Sequence, residues 1–238
     1  MRNRLIKSAA IISGFVSFAQ ASEHVILLHG LCRTSRSMIT MEKALTEAGY
    51  CVHNMDYRSR SGTIERLSEE VIGRALEECR GEGAGAIHLV THSLGGILLR
   101  SYLCRHTVPE LGRVVMLAPP NQGSEVVDRL RAFPVFALVN GPSGLELGTD
   151  PESVPNRLGR ASFCVGIIAG NRSINWINSL FIHGRDDGKV SVERTKLTGM
   201  ADHITLPVAH PFIMRNRMAV KQTVAFLRDG VFEQVLRN

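Results

Sequence analysis

The chain is predicted to fold as an α/β protein, with a mostly parallel sheet of about six strands flanked by helices in one domain. Three observations predict it. Short apolar runs alternate with longer segments of helical period, as in successive βαβ units. The runs carry almost no charge, which fits strands covered on both faces. A length of 238 residues with 44% hydrophobic content suffices for one well-buried core and falls short of two ordinary domains.

Residues 1–21 stand apart from this pattern. Arg2, Arg4 and Lys7 precede an apolar stretch from Ser8 to Phe18, and Ala19-Gln20-Ala21 supplies a small-x-small cleavage pattern. These are the three parts of a secretory signal peptide, and the apolar run is shorter than the roughly 20 residues a membrane-spanning helix needs. Cleavage after Ala21 and export to the periplasm or the exterior are expected, leaving residues 22–238 as the folded domain. The leader holds three basic residues and no acidic one, so it accounts for half of the net charge of +6. The remainder has no run of Lys and Arg interleaved with aromatics, and nucleic acid is not an expected partner.

The candidate strands are His24 to His29, Cys51 to Asp56, Ala86 to His92, Arg113 to Ala118, Phe163 to Ala169 and His203 to Val208. Met38, Met41, Leu45 and Ala48 fall at helical steps before Gly49, and Ile64, Leu67, Val71, Ala75 and Cys79 form a second stripe. Further helices are expected from Leu94 to His106 and from Pro211 to Arg228. From Glu125 to Arg160, four prolines and four glycines interrupt any long period, so this stretch reads as a loop-rich excursion, either a lid over a cleft or a plain surface insertion. The five cysteines, Cys32, Cys51, Cys79, Cys104 and Cys164, are odd in number, and no two share a CxxC or a zinc-type Cys/His spacing. They read either as small buried apolar residues or as disulfide partners in an oxidising compartment, with at least one left over and any four able to connect in three ways; neither a metal nor a cofactor is expected.

The chemistry concentrates in a few places. In Ile87 to Leu98, an apolar strand runs into Thr91-His92-Ser93-Leu94-Gly95-Gly96 and on into a helix, the setting of a nucleophile elbow that lifts Ser93 from the end of the sheet. Gly95 supplies one of the small residues such a turn needs, whereas Thr91 stands where glycine is usual. Earlier, Val25 to Leu28 leads into His29-Gly30-Leu31 at the same end of the sheet. Acyl transfer needs two donors for the developing oxyanion, and the N–H groups of Leu94 and Leu31 are the candidates, with His29, Gly30 and Gly95 in support.

The acid and the base of such a site follow the serine in that order, on loops after later strands. Of His106, His183, His203 and His210, only His210 follows the carboxyl end of a candidate strand. His92 adjoins the nucleophile but points elsewhere on such a turn, and reads as packing or support. Asp186 and Asp187 are adjacent in a turn, and only one can face the imidazole.

With these motifs in order, the chain resembles the α/β-hydrolase superfamily, and within it the small secreted bacterial lipases and esterases without a large cap. The resemblance selects Asp187 over Asp186, because Gly188 and Val190 match the Asp-Gly-x-Val turn of lipase-like relatives. It implies hydrolysis of carboxylic esters through an acyl-enzyme on Ser93, with His210 as base and then acid, and no cofactor. Leu117 to Ser124 is similar to the segment that lines the acyl pocket in lipases. The partners it implies are a small-molecule or lipid ester, with transient contact at a lipid surface, on a monomeric protein. An acyltransferase, a thioesterase or an amidase would use the same triad, and a non-catalytic member of the fold would bind a lipid or a partner protein instead.

Overall fold

The computed structural model describes residues 22–233. The expected signal peptide lies outside the described residues. Six strands, β1 (Glu23–Leu28), β2 (Cys51–Met55), β3 (Ala86–His92), β4 (Leu111–Leu117), β5 (Val165–Gly170) and β6 (Asp202–Leu206), form one sheet in the order β2-β1-β3-β4-β5-β6. Every pairing in it is parallel. Each of the expected strands is present; β3 has the expected bounds, and the ends of the others differ by at most two residues.

The helices are α1 (Ile39–Glu47), α2 (Ile64–Gly81), α3 (Leu94–Leu103), α4 (Glu125–Leu130), α5 (Pro134–Leu145), α6 (Val154–Arg157), α7 (Trp176–Ser179), α8 (Val192–Thr195) and α9 (Arg217–Asp229). Alternation along β1 divides the core. Ile26 and Leu28 pack with Leu67, Val71 and Leu76 of α2 and Ile97 of α3, while Val25 and Leu27 pack with Met41 and Leu45 of α1 and Phe226 of α9. Fully burying one such side chain stabilises the fold by about 1.5–3 kcal/mol, so both faces of the sheet must be covered. Thr63 caps α2 by accepting from the Arg66 N–H, and the stripe from Ile64 to Cys79 faces the core throughout. Among the described residues, no helix is long and apolar enough to cross a membrane.

Three expectations change. The stretch from Glu125 to Arg160 is not loop-rich but holds α4, α5 and α6. Pro134 and Pro155 lie in the first turns of α5 and α6, where the missing N–H would have no partner and the fixed φ suits a helix. The helix expected from Pro211 to Arg228 is instead a 3₁₀ segment, His210–Arg215, followed by α9, because the Asn216 side chain accepts from the Met218 and Ala219 N–H groups and starts a new helix. Cys79 is buried as expected, but Cys32, Cys104 and Cys164 are exposed free thiols.

Candidate active site

Strand order reverses direction at β1: the chain leaves β1 for β2 on one side and returns to β3 on the other. Their carboxyl ends therefore flank a crevice, the usual position of a site in such sheets. His29-Gly30-Leu31 leaves β1 there, and Ser93 leaves β3 beside it.

Ser93 joins β3 directly to α3 with φ 51° and ψ −118°, a conformation that costs a non-glycine residue about 1–3 kcal/mol. The turn is held by the Ser93 N–H donating to the Leu117 carbonyl (2.9 Å) and by the Gly96 N–H donating to the Ser93 carbonyl (3.0 Å). A Cβ on Gly95 would lie 2.8 Å from the Leu28 carbonyl oxygen, so only glycine lets α3 approach the end of β1 this closely. Thr91 occupies its unusual place because the residue facing it is Gly96, where a Cβ would lie 3.2 Å from the Thr91 hydroxyl.

His210 follows β6 and is oriented from both sides. Its ring Nδ1–H donates to Asp187 Oδ2 at 2.7 Å, and its Nε2 lies 3.0 Å from Ser93 Oγ. Its backbone N–H also donates to the Asp187 carbonyl at 3.0 Å, tying the two loops together. Asp187 is 0% exposed. Its Oδ1 accepts from the N–H groups of Lys189 and Val190, so the buried carboxylate is satisfied on both oxygens. Asp186 faces the other way and accepts from the Gly188 N–H and the Ser179 hydroxyl.

The N–H of Leu94 opens α3 and so has no partner within the helix. Leu31 borders the cleft, and its N–H reaches no backbone carbonyl among the described residues. His29 is buried; its Nδ1–H donates to the Gly30 carbonyl, and its ring stacks on Tyr57 with centroids 4.0 Å apart. His92 is buried too, with Nε2 donating to the His210 carbonyl at 3.2 Å. Burial, with the neighbouring His210 second, holds the His92 pKa well below the usual histidine range, so it stays neutral. A Cβ on Gly30 would sit 2.7 Å from His92 Nδ1, which places that ring directly under the Gly30 turn.

Two supports were not foreseen from the sequence. Gly170, at the end of β5, would carry a Cβ 2.9 Å from Asp187 Cβ, so the acid's loop rests on a glycine. Asn178 donates to the Gly188 carbonyl at 2.9 Å and fixes the acid's turn. Neither contact leaves a recognisable pattern in the sequence.

A cleft of about 300 Å³ opens over Ser93 and His210, with apolar walls from Leu31, Val126, Val127, Phe136, Val139 and Leu147. Among the described residues, a grouping of potential metal ligands occurs only at the other end of the sheet, comprising His24, Cys51, His53 and Glu82.

Known structures share this architecture. The mature lipase BlEst2 of Bacillus licheniformis is similar with a TM-score of 0.72 and 18% identity, over 87% of this chain and 92% of that one. The phospholipase PlaB of Legionella pneumophila is similar with a TM-score of 0.67 and 17% identity, over 89% of this chain and 60% of its own. A pyrethroid hydrolase of Sphingobium faniae has a TM-score of 0.53 and 14% identity, over 88% and 98%. At these identities the likeness concerns the fold. No curated protein matches the sequence. The model of the alpha/beta hydrolase family matches residues 25–190, from the first strand through the Asp187 turn, and the chain belongs to that family.

Proposed function

We propose that the protein is a serine hydrolase of carboxylic esters. The observation that carries this reading is the unbroken hydrogen-bonded series from Ser93 Oγ through His210 to the buried Asp187, at the floor of an apolar cleft. Ser93 Oγ attacks the ester carbonyl carbon and passes its proton to His210 Nε2. The N–H groups of Leu94 and Leu31 hold the oxyanion, a role in which one donor typically lowers the barrier by about 3 kcal/mol. Collapse breaks the carbon–oxygen bond, and His210 returns its proton to the departing alkoxide. Water then attacks the acyl-enzyme, its proton passing to His210, and the acid leaves with Ser93 restored. Asp187 remains ionised and stabilises the imidazolium. No step calls for a cofactor.

The substrate class is an ester with an apolar acyl group, on the strength of the cleft's walls and of a volume at the lower end for small-molecule sites. Lipase and phospholipase names among the similar structures agree with it. Phe133, Val135 and Leu138 of the α5 region are exposed beside the cleft-lining Phe136 and Val139, Leu138 by 81%, and this apolar face supplies contact with a lipid surface. The enzyme acts after export, as a monomer.

The test is labelling of the purified protein by a fluorophosphonate beside Ser93→Ala, with the modified peptide located by mass spectrometry. Label on Ser93 that vanishes in the variant, with hydrolysis of p-nitrophenyl esters falling at least about 10³-fold, is expected. A folded protein that takes no label, or a variant that keeps its activity, overturns the reading. Thioesters and amides in the same assay are expected to turn over more slowly than esters; a reversal would assign the same serine to a different acyl bond.

A further inference from the structure

At the amino-terminal end of the sheet, opposite the cleft, three elements converge on one point. His24 and Cys51 are register partners in β1 and β2, and His53, two residues after Cys51, lies on the same face of β2. That face is the one Ile26 and Leu28 share, the face covered by α2. The helix ends there, and its C-cap residue Glu82 turns back over the two strands.

We propose that His24, Cys51, His53 and Glu82 form a closed, four-ligand site for a divalent cation of the zinc class, which ties the edge strand β2 and the end of α2 to β1. The ligand atoms all lie within 4.8 Å of one another. His53 Nε2 is 2.9 Å from His24 Nδ1, 3.9 Å from Cys51 Sγ and 3.7 Å from Glu82 Oε2, and Cys51 Sγ is 3.4 Å from Glu82 Oε2. A tetrahedron with zinc–nitrogen and zinc–oxygen bonds of about 2.0–2.1 Å and a zinc–sulfur bond of about 2.3 Å has edges of roughly 3.3–3.6 Å. The four distances bracket those edges, and the two remaining ones are no longer than 4.8 Å, so shifts of up to about an ångström would close the polyhedron.

The surroundings suit the ion. Ser22 Oγ lies 2.8 Å from His24 Nε2, which holds that proton in place and leaves Nδ1 free to bind. Glu78 Oε2 lies 4.0 Å from His53 Nδ1, on the outer nitrogen of that ring. His24 is fully buried, and His53 nearly so. A thiolate and a carboxylate with two neutral imidazoles offset a charge of two, and the negative end of the 18-residue α2 dipole faces the site. Binding is coordination only: one thiol proton leaves to solvent, and no bond to carbon changes. Four protein ligands leave no open position, so the site is structural.

The test uses full-length mature protein made without a histidine tag, dialysed against a chelator and titrated with zinc chloride. One zinc per chain is expected by elemental analysis, with Tm raised by about 5 °C or more at a hundredfold excess over Kd. Cys51→Ser and His53→Gln should each weaken binding by 10²-fold or more, leaving fluorophosphonate labelling of Ser93 unchanged. Should either variant fail to fold, alkylation of the wild-type protein decides: zinc must slow modification of Cys51 at least tenfold while leaving the exposed Cys104 and Cys164 as reactive as before. Stoichiometric zinc that survives both substitutions, no binding in the wild type, or no protection of Cys51 overturns the site.

Discussion

The two ends of the sheet hold histidines in different ways. At the carboxyl ends of the strands, His29, His92 and His210 are each held by backbone carbonyls, carboxylate or ring stacking, on turns that depend on Gly30, Gly95 and Gly170. At the amino ends, His24 and His53 sit on regular strands and point at one another. Backbone conformation builds the first group, and sheet register builds the second. A turn with positive φ is a local event that leaves a motif in the chain; the register of β1 on β2 and the end of α2 bring residues 24, 51, 53 and 82 together and leave none.

The sharpest way to break the comparison is to exchange the two adjacent carboxylates. Asp187→Asn keeps the shape of the acid but presents an amide to His210 and favours the wrong tautomer, so kcat for ester hydrolysis should fall by about 10⁴-fold. Asp186→Asn disturbs only contacts to Ser179 and Gly188, so kcat should stay within about threefold. Steady-state kinetics on both variants checks the pair. Equal losses would mean that the carboxylates share the role.

How much could be read beforehand follows the same division. The inner strands β1, β3, β4 and β5 were legible because strands covered on both faces are continuous apolar runs, and the half-buried edge strands β2 and β6 were legible from the alternation with helices around them. Ser93, His210 and the His29-Gly30 turn were legible because each stands at a strand's carboxyl end. Asp186 and Asp187 were not separable from local chemistry alone: what distinguishes them is the Lys189 and Val190 amides on one and the Gly188 amide on the other. The helices between Glu125 and Arg160 escaped notice because two of them are only six and four residues long, and α5 is kinked at Gly141, which has φ 65°. None is long enough to display a period.

Next in size is the glycine on which the elbow rests. In Gly95→Ala the new methyl group would meet the Leu28 and His29 carbonyls at 2.8 and 3.0 Å, and backbone atoms cannot rotate aside. The variant should lose about 1–3 kcal/mol of stability in urea unfolding, together with part of its activity. Gly73→Ala is the control. A Cβ there meets nothing within 4 Å in the middle of α2, and the substitution should be neutral or stabilise by a few tenths of a kcal/mol to about 1. Equal behaviour of the two would contradict the close packing of α3 on β1.

A smaller effect is read by pH and is common to both ends, because burial lowers the pKa of His24, His88 and His203 at the amino end too. Burial lowers the folded-state pKa of both His29 and His92. In the unfolded chain each titrates near 6.5, so below that pH the unfolded state binds more protons and stability falls as pH falls. Each such histidine contributes a slope of up to about 1.4 kcal/mol per pH unit, between pH 6.5 and its lowered folded value. Urea midpoints measured from pH 7.5 down to pH 5 should decline. His92→Gln should flatten part of the decline.

The smallest effect belongs to His203, the histidine that begins its strand near the amino end. It follows Asp202 on β6, and its Nε2 lies 3.0 Å from the Thr195 hydroxyl, so its hydrogen bond braces α8 against the sheet. His203→Ala removes that bond and should lower stability by about 1 kcal/mol. Because the loop that leaves the other end of β6 carries His210, the substitution also asks whether the two ends are mechanically coupled. Rigid parallel strands predict that they are not, so kcat and fluorophosphonate labelling should stay within twofold of the parent. A loss of turnover beyond tenfold in a folded variant would show that the position of His210 depends on the packing of its whole strand, and the two ends of the sheet would have to be treated as one unit.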